Sequence, residues 1–366
     1  MTEIEMKNKD RKFRLTNKTF KFPSAIKDHF YTANYFVKTM EIAEKHLADT
    51  VVTMQFFQRR DNVMACGVDE SLALLQEFAR YPEKLKIEAC HDGDIVNANE
   101  PVLKITGLYK DFAYLESLID GILTRRTTAA TNSYEVLQAA YPTEVFSMAD
   151  RQDDYLTQAG DGYASYIAGI KKFSTDAQGA WVNVKGMGTM PHALIAMTNG
   201  DLIKACELYH KTFPNEKISA LVDYHNDTVT EALKVARHFG AKLGSIRLDN
   251  SKALLDEYFV RQGLNDSSLK GVSPELVFAV REALDKEGFN YVNIVVSSGF
   301  TPEKIKYFKA KNAPVNLYGV GSFIVNNKEV GFTGDVVVVN GKPQAKVGRQ
   351  EYFSDKLEKV TLKKRM

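Results

Sequence analysis

The chain has 366 residues, enough for about two domains. Its 44% hydrophobic and 26% charged residues are those of a globular protein, and a formal net charge of +2 is too small to direct it to nucleic acid or an anionic membrane. No apolar run approaches a membrane span, the basic N-terminal segment lacks the apolar core of a signal peptide, and Cys66, Cys90 and Cys206 form no CxxC pair; the expectation is a reduced, cytoplasmic protein without a zinc site or disulfide framework.

Apolar and aromatic positions at Ile26, Phe30, Ala33, Val37, Met40 and Ile42 predict a helix over residues 24–48. Tyr35 and Phe36 on it are either core aromatics or a sandwich for a planar heterocycle. A strand is predicted within residues 49–60 and a short helix over residues 71–79. From Lys86 the character changes to strand-like arms around Asp92 and Gly93 and around Asn99, Glu100 and Pro101. Near the other end, Asn340 and Gly341 predict a hairpin within residues 334–348. The two ends are therefore expected to build one β-rich domain, residues 1–120 plus 325–366, with residues 121–324 inserted.

The insert alternates. A long helix is predicted over residues 111–140, a strand and polar turn over 144–151, a helix over 160–173, and a glycine-rich segment running into a helix over 185–197. A strand over 218–227 precedes a helix over 228–239, and a strand over 243–250 precedes a helix from Ser251. Repeated strand, polar end and helix is the pattern of α/β architecture, and the number of units suits a barrel better than an open nucleotide-binding sheet.

Residues 291–323 close the series. Residues 292–296 are apolar and β-branched, as in a buried parallel strand, and Ser297, Ser298 and Gly299 break the run. Thr301 is a predicted N-cap, Pro302 takes the first helical position and Glu303 the first turn. A second strand over residues 315–318 ends at Gly319 and Gly321. Two such turns at one sheet edge, beside a helix N-terminus, suit an oxyanion such as phosphate; the plainer alternative is a βαβ unit whose glycines only make turns.

Polar residues recur where strands end: Arg151, His192, Asp223, Arg247 and Asp249. In a barrel these ends share one face, where active sites are built. Asp223 and Asp249 either cap the helices that follow or hold a hydrated Mg²⁺ and steady a developing cation. Arg247 points to the same side of its strand as Asp249, and either pairs with it or grips an anion. His192 sits in the turn GMGTMPHA, a better setting for catalysis than a lone core histidine has. Arg151 is a candidate anion ligand. No P-loop and no G-x-S-x-G occurs, which leaves chemistry carried by charge and positioning.

In order and spacing, TANYFVKTMEI, HDGDIVNANEPVLKITG, TRRTTAATNSYEV, ADR, GMGTMPHALI, LVDYHND, SIRLDN, VVSSGF, YGVGSF and TGDVVVVNGKPQAKVGR resemble the nicotinate phosphoribosyltransferase family, among the type II phosphoribosyltransferases. The resemblance implies an irregular α/β (TIM-like) barrel beside a β-rich α+β domain, in a homodimer with active sites at the interface. It implies transfer of phosphoribosyl from 5-phosphoribosyl-1-pyrophosphate to nicotinate in NAD salvage, with Mg²⁺, and in many members with ATP hydrolysis through a phosphorylated histidine. Carried over, Ser298, Gly299, Gly319 and Gly321 hold the 5-phosphate. Asp223 and Asp249 line the ribose and pyrophosphate–Mg²⁺ region, with Asp249 the metal candidate. Arg247 and Arg151 face pyrophosphate or the nicotinate carboxylate. His192 is the phosphohistidine candidate, Thr189 in the same turn binds substrate, and Tyr35 stacks on the pyridine ring, typically from the partner subunit.

Two positions depart from the family. Ala33 stands where an aspartate is common, and Asp176 falls near the place where nicotinamide-specific relatives carry an acid. An acid at Asp176 would repel the nicotinate carboxylate, which makes nicotinamide an alternative base; quinolinate is a second, and needs more cations for its second carboxylate. A non-catalytic relative that binds a phosphate ligand, and an unrelated barrel aldolase or isomerase, are alternatives of other classes.

Overall fold

The computed structural model describes residues 14–326 and 328–363; the first thirteen residues of the basic N-terminal segment lie outside them. In chain order the strands are β1 (Val51–Phe57), β2 (Val63–Met64), β3 (Lys86–Ala89), β4 (Ile95–Val96), β5 (Leu103–Leu108), β6 (Glu144–Ser147) and β7 (Lys172–Phe173). They continue with β8 (Ile218–Leu221), β9 (Leu243–Leu248), β10 (Asn293–Val296), β11 (Leu317–Val320), β12 (Thr333–Val339), β13 (Lys342–Pro343) and β14 (Glu358–Val360). The chain divides into two compact units. One takes its described residues from Met1–Tyr134, Ala159–Gly169 and Asn326–Met366, the other from Glu135–Gln158 and Ile170–Val325.

The first unit holds an antiparallel sheet in the order β13-β12-β1-β5-β3-β14. β1 pairs with β5 on one side and β12 on the other, so strands from both ends of the chain share one ladder. Its alternating side chains put Val52, Met54 and Phe56 into an apolar core with Leu72, Leu75, Ile87, Leu103 and Ile105. Gln55 is buried on the other face. Its side-chain amide donates to the Gln350 carbonyl (2.9 Å) and its oxygen accepts from the Tyr352 N–H (2.9 Å), which satisfies a polar group that burial would otherwise penalise.

The second unit holds a parallel sheet in the order β7-β6-β11-β10-β9-β8, with helices between the strands. Its strands read as continuous apolar runs because both faces are covered: Ile294, Val295 and Val296 of β10 are all buried. The Thr228–Phe239 helix after β8 buries Val229, Ala232, Val235 and Ala236, the stripe that a 3.6-residue period places on one side. Among the described residues the ladder ends at β7 on one edge and β8 on the other, so the sheet is a parallel α/β layer of six strands.

Four predictions differ, and the first is the helix over residues 160–173, which ends at Ala168 so that Lys172 and Phe173 enter β7. The helix over residues 24–48 is broken: a 3₁₀ turn at Ser24–Asp28 ends in a left-handed His29 (φ 56°), and an α-helix restarts at Asn34–His46. Thr32 fastens the break by donating its hydroxyl to the Tyr114 carbonyl at 3.0 Å, a long-range contact that periodicity cannot register. No helix starts at Ser251; the chain turns and forms only the short Glu257–Val260 helix, because Asn250 and Asp256 are buried in side-chain hydrogen bonds described below. Gly319 lies inside β11 rather than ending it.

Candidate active site

The predicted turn after β10 takes the conformation an anion cradle needs. Ser298 (φ 81°) and Gly299 (φ 67°) are both left-handed, which strains the serine and suits the glycine. Thr301 then caps the Pro302–Ala310 helix, its hydroxyl accepting from the Lys304 N–H at 3.3 Å. Among the described residues the backbone N–H groups of Ser298, Gly299 and Gly321 donate to no protein acceptor. Adjacent donors of this kind at a helix N-terminus form a concavity for an oxyanion.

The parallel register brings the other strand ends alongside. Val296 pairs with Tyr318, so Gly319 lies next to Ser297; a Cβ on Gly319 would come 3.2 Å from the Ser297 Cβ and 2.7 Å from the Met148 Cε. A Cβ on Gly321 would come 2.9 Å from the Met148 carbonyl oxygen, which ties the loop after β11 to the loop after β6. Gly321 is required by this approach to backbone and not by φ, whereas a side chain at Gly319 would press on the end of Met148.

Ser297, fully buried, joins β9 to β10. Arg247 Nε donates to Ser297 Oγ at 2.9 Å, and Ser297 Oγ donates to Asp249 Oδ1 at 2.6 Å. Arg247 Nη2 closes the triangle on Asp249 Oδ2 at 3.2 Å. From β8, Asp223 meets His192 Nε2 at 3.1 and 3.0 Å. The carboxylate is only 7% exposed whereas the imidazole is 45% exposed, so the acid orients a ring that stays open to solvent. Burial pushes the Asp223 carboxyl above its ordinary pKa, the His192 ring pulls it back, and Asp249 adds a smaller upward push. The two acids therefore feel one another. Neither is a helix cap: the Thr228–Phe239 helix is preceded by Asp227, and a loop follows Asp249.

A buried knot holds the loops that carry these acids. Asn250 Nδ2 donates to Thr228 Oγ1 at 2.9 Å and to Asp256 Oδ2 at 3.1 Å, and Thr228 Oγ1 donates to the same Asp256 oxygen at 2.6 Å. It pins the loop after β8 to the loop after β9.

Asp223, Asp249, Ser298, Gly299 and Gly321 lie in strand-end loops of the second unit, while Arg247 and Gly319 lie near the ends of β9 and β11 and His192 opens the His192–Met197 helix. Arg151, after β6, is exposed and next to Gln152, whose amide nitrogen lies 2.9 Å from the position of a Gly321 Cβ. Thr189 is exposed in the loop before the His192–Met197 helix. Tyr35 belongs to the first unit, on the Asn34–His46 helix, and is 64% exposed. Asp176 Oδ1 accepts from the Gly186 N–H at 2.8 Å, so one of its oxygens braces the glycine-rich loop. Two residues escaped the sequence reading, Ser297 and Lys304. Lys304 lies in the first helical turn after the cradle, and its Nζ donates to the Ser298 carbonyl at 3.0 Å. The signal that finds it is a lysine where a helix N-terminus favours an acid.

A family profile described as quinolinate phosphoribosyl transferase, N-terminal domain, matches residues 33–127. The chain is 30% identical to a protein of solved structure, nicotinate-nucleotide pyrophosphorylase from Pyrococcus furiosus, over 92% of this chain and 82% of that one, with a TM-score of 0.78. It is 27% identical to nicotinate phosphoribosyltransferase pncB1 of Mycobacterium tuberculosis over 246 residues, 65% of this chain and 50% of that protein. The structure of human nicotinic acid phosphoribosyltransferase shares the fold at 16% identity, covering 86% of this chain and 75% of that one, with a TM-score of 0.65. The chain spans about half the length of the curated relatives it matches.

Proposed function

We propose, from the premise that this chain belongs to the nicotinate phosphoribosyltransferase family, that it transfers phosphoribosyl from 5-phosphoribosyl-1-pyrophosphate to nicotinate, giving nicotinate mononucleotide and pyrophosphate in NAD salvage. The observation that carries this reading is the pair of turns after β10 and β11. Their N–H groups are free for a phosphate monoester, beside an Arg247–Ser297–Asp249 triangle and an Asp223–His192 pair. We read the six-stranded parallel sheet as part of an irregular barrel whose strand-end face carries the site.

In this mechanism the Ser298, Gly299, Gly319 and Gly321 turns anchor the 5-phosphate and so fix the ribose. The bond from C1 to pyrophosphate breaks, the pyridine nitrogen attacks C1, and the sugar passes through an oxocarbenium-like state. Asp249 and Asp223, held near that carbon, stabilise the positive charge that develops there, and no covalent enzyme nucleophile is used. Arg247 and Arg151 meet the pyrophosphate or the nicotinate carboxylate, Thr189 contributes a hydroxyl to substrate, and Tyr35 of a second copy in a homodimer stacks on the pyridine ring.

The donor set fits Mg²⁺, which takes one or two carboxylates together with substrate phosphates; Asp249 and Asp223 would hold it. When bound it neutralises the departing pyrophosphate. ATP is proposed as a co-substrate that phosphorylates His192, whose ring is oriented by Asp223 and open on its other side.

The experiment is incubation with phosphoribosyl pyrophosphate, Mg²⁺ and nicotinate, nicotinamide or quinolinate in turn, with and without ATP, followed by chromatography. Nicotinate mononucleotide from nicotinate is the expected product. No product from any base refutes the enzyme reading. His192→Ala is expected to abolish stimulation by ATP, and unchanged stimulation removes His192 from that role. The description of the matching profile favours quinolinate as the second reading; it requires a further cation for the second carboxylate, and mononucleotide from quinolinate alone would establish it.

A further inference from the structure

We propose that Lys304 is a substrate-binding residue of this site, the cation that meets the 5-phosphate group in the Ser298 and Gly299 turn. The inference rests on the phosphoribosyl-transfer reading above.

Lys304 is the third residue of the Pro302–Ala310 helix, and its backbone is fixed by the Thr301 cap. Its side chain folds back over the cradle. Nζ donates to the carbonyl of the left-handed Ser298 at 3.0 Å and lies 4.3 Å from the centroid of the Phe300 ring and 5.8 Å from that of Phe308. That one hydrogen bond leaves further ammonium donors for a ligand oxygen.

Nothing in the fold calls for a positive charge here. The group is half-buried, which penalises an ion, and it sits at the positive end of a helix, which penalises a cation. Among the described residues no carboxylate lies within ion-pair distance of it; the charged group that acts on it is Asp249, at longer range. Burial accordingly pushes its pKa down to about 8, with Asp249 opposing. A phosphate dianion in the adjoining turn reverses each penalty: it pairs the charge, is itself favoured by the helix N-terminus, and shares the free N–H groups of Ser298 and Gly299.

The test is steady-state kinetics of wild type, Lys304→Met and Lys304→Arg with phosphoribosyl pyrophosphate varied. Lys304→Met is expected to raise KM for phosphoribosyl pyrophosphate by about tenfold or more while changing kcat by less than about threefold, and Lys304→Arg to stay within about threefold of wild type. Wild-type KM is expected to rise about fivefold from about pH 8 to about pH 9, because free Lys304 loses its proton, whereas Lys304→Met is flat across that range. A wild-type KM in Lys304→Met, or an alkaline rise that survives in it, overturns the inference while product formation by the wild type keeps the reaction. If Lys304→Met does not fold, or the wild type makes no mononucleotide, amine acetylation of the wild type decides. Lys304 protected by ribose 5-phosphate supports the inference, and equal labelling with and without it overturns it.

Discussion

The antiparallel unit and the candidate site of the parallel unit use charged residues differently, although away from that site the parallel unit also closes Arg237 on Glu287 and Arg261 on Asp227. In the antiparallel unit, Arg126 makes a two-pronged pair with Glu70 (2.8 and 3.1 Å), and Arg125 makes another with Asp161 (2.8 and 2.6 Å). Arg14 binds Asp69 at 3.0 Å and the carbonyls of Ala89 and Cys90 at 3.0 and 2.8 Å. Gly160 is required by this arrangement, since a Cβ there would lie 2.0 Å from the Arg126 guanidinium carbon. Among the described residues the strand ends of the parallel unit keep charge and donors in reserve: a lysine with no acid at ion-pair distance, an open imidazole on a buried carboxylate, and N–H groups without acceptors. Charges that close on one another hold a fold together. Charges and dipoles left facing one concavity, at a cost in stability, await a ligand.

The contrast can be broken most strongly at the closed pairs. Arg126→Ala is expected to lower unfolding free energy by about 3–5 kcal/mol, because it strands the buried Glu70 while Asp161 keeps its pair with Arg125; a shift in the urea midpoint reads this, and a shift below about 1 kcal/mol would show the network to be dispensable.

A smaller effect separates pH response from catalysis. Burial pushes Glu116 up to about 8 and Asp120 up to about 7, with neighbouring acids, including Asp335 for both, adding to it. A carboxyl whose folded pKa is raised stabilises the fold below its unfolded pKa, and that stability is lost as pH rises through the folded value. The urea midpoint should therefore fall between about pH 5 and about pH 8, by about 1–3 kcal/mol in unfolding free energy, and Glu116→Gln should flatten the fall. A midpoint that rises over this window contradicts the assignment.

The smallest expected effect sharpens the open side. Ser297→Ala removes the hydroxyl that Arg247 and Asp249 share, leaving both in place but loosely aimed. We expect kcat to drop about tenfold, or about 1.4 kcal/mol, with heat stability little changed. An unchanged kcat would mean that Arg247 and Asp249 hold each other without the serine.

Much of the parallel unit was legible because its signals are local. The Thr301 cap, Pro302, the 228–239 helix and the β-branched run before Ser297 each declare themselves within a dozen residues, and each forms as read. What escaped depends on partners far along the chain. The break after Asp28 rests on Thr32 reaching the Tyr114 carbonyl, 82 residues on. The missing helix at Ser251 rests on Asn250 and Asp256 being consumed by Thr228. Along the chain Ser297 is one of three small residues that break the run before it, and its role rests on Arg247 and Asp249, 50 and 48 residues away.

The sequence by itself determined the alternation of strands and helices in the insert, the Thr301 helix start, and that small residues cluster at the ends of the last two parallel strands; these are matters of short-range sterics and periodicity. Only the tertiary structure decided which polar groups find partners. A parallel register set Gly319 against Ser297, brought Arg247, Ser297 and Asp249 into one triangle, and left Lys304 over the Ser298 carbonyl with no acid at ion-pair distance among the described residues. Whether a charge is satisfied depends on distances across several loops, and no pattern along the chain encodes those distances.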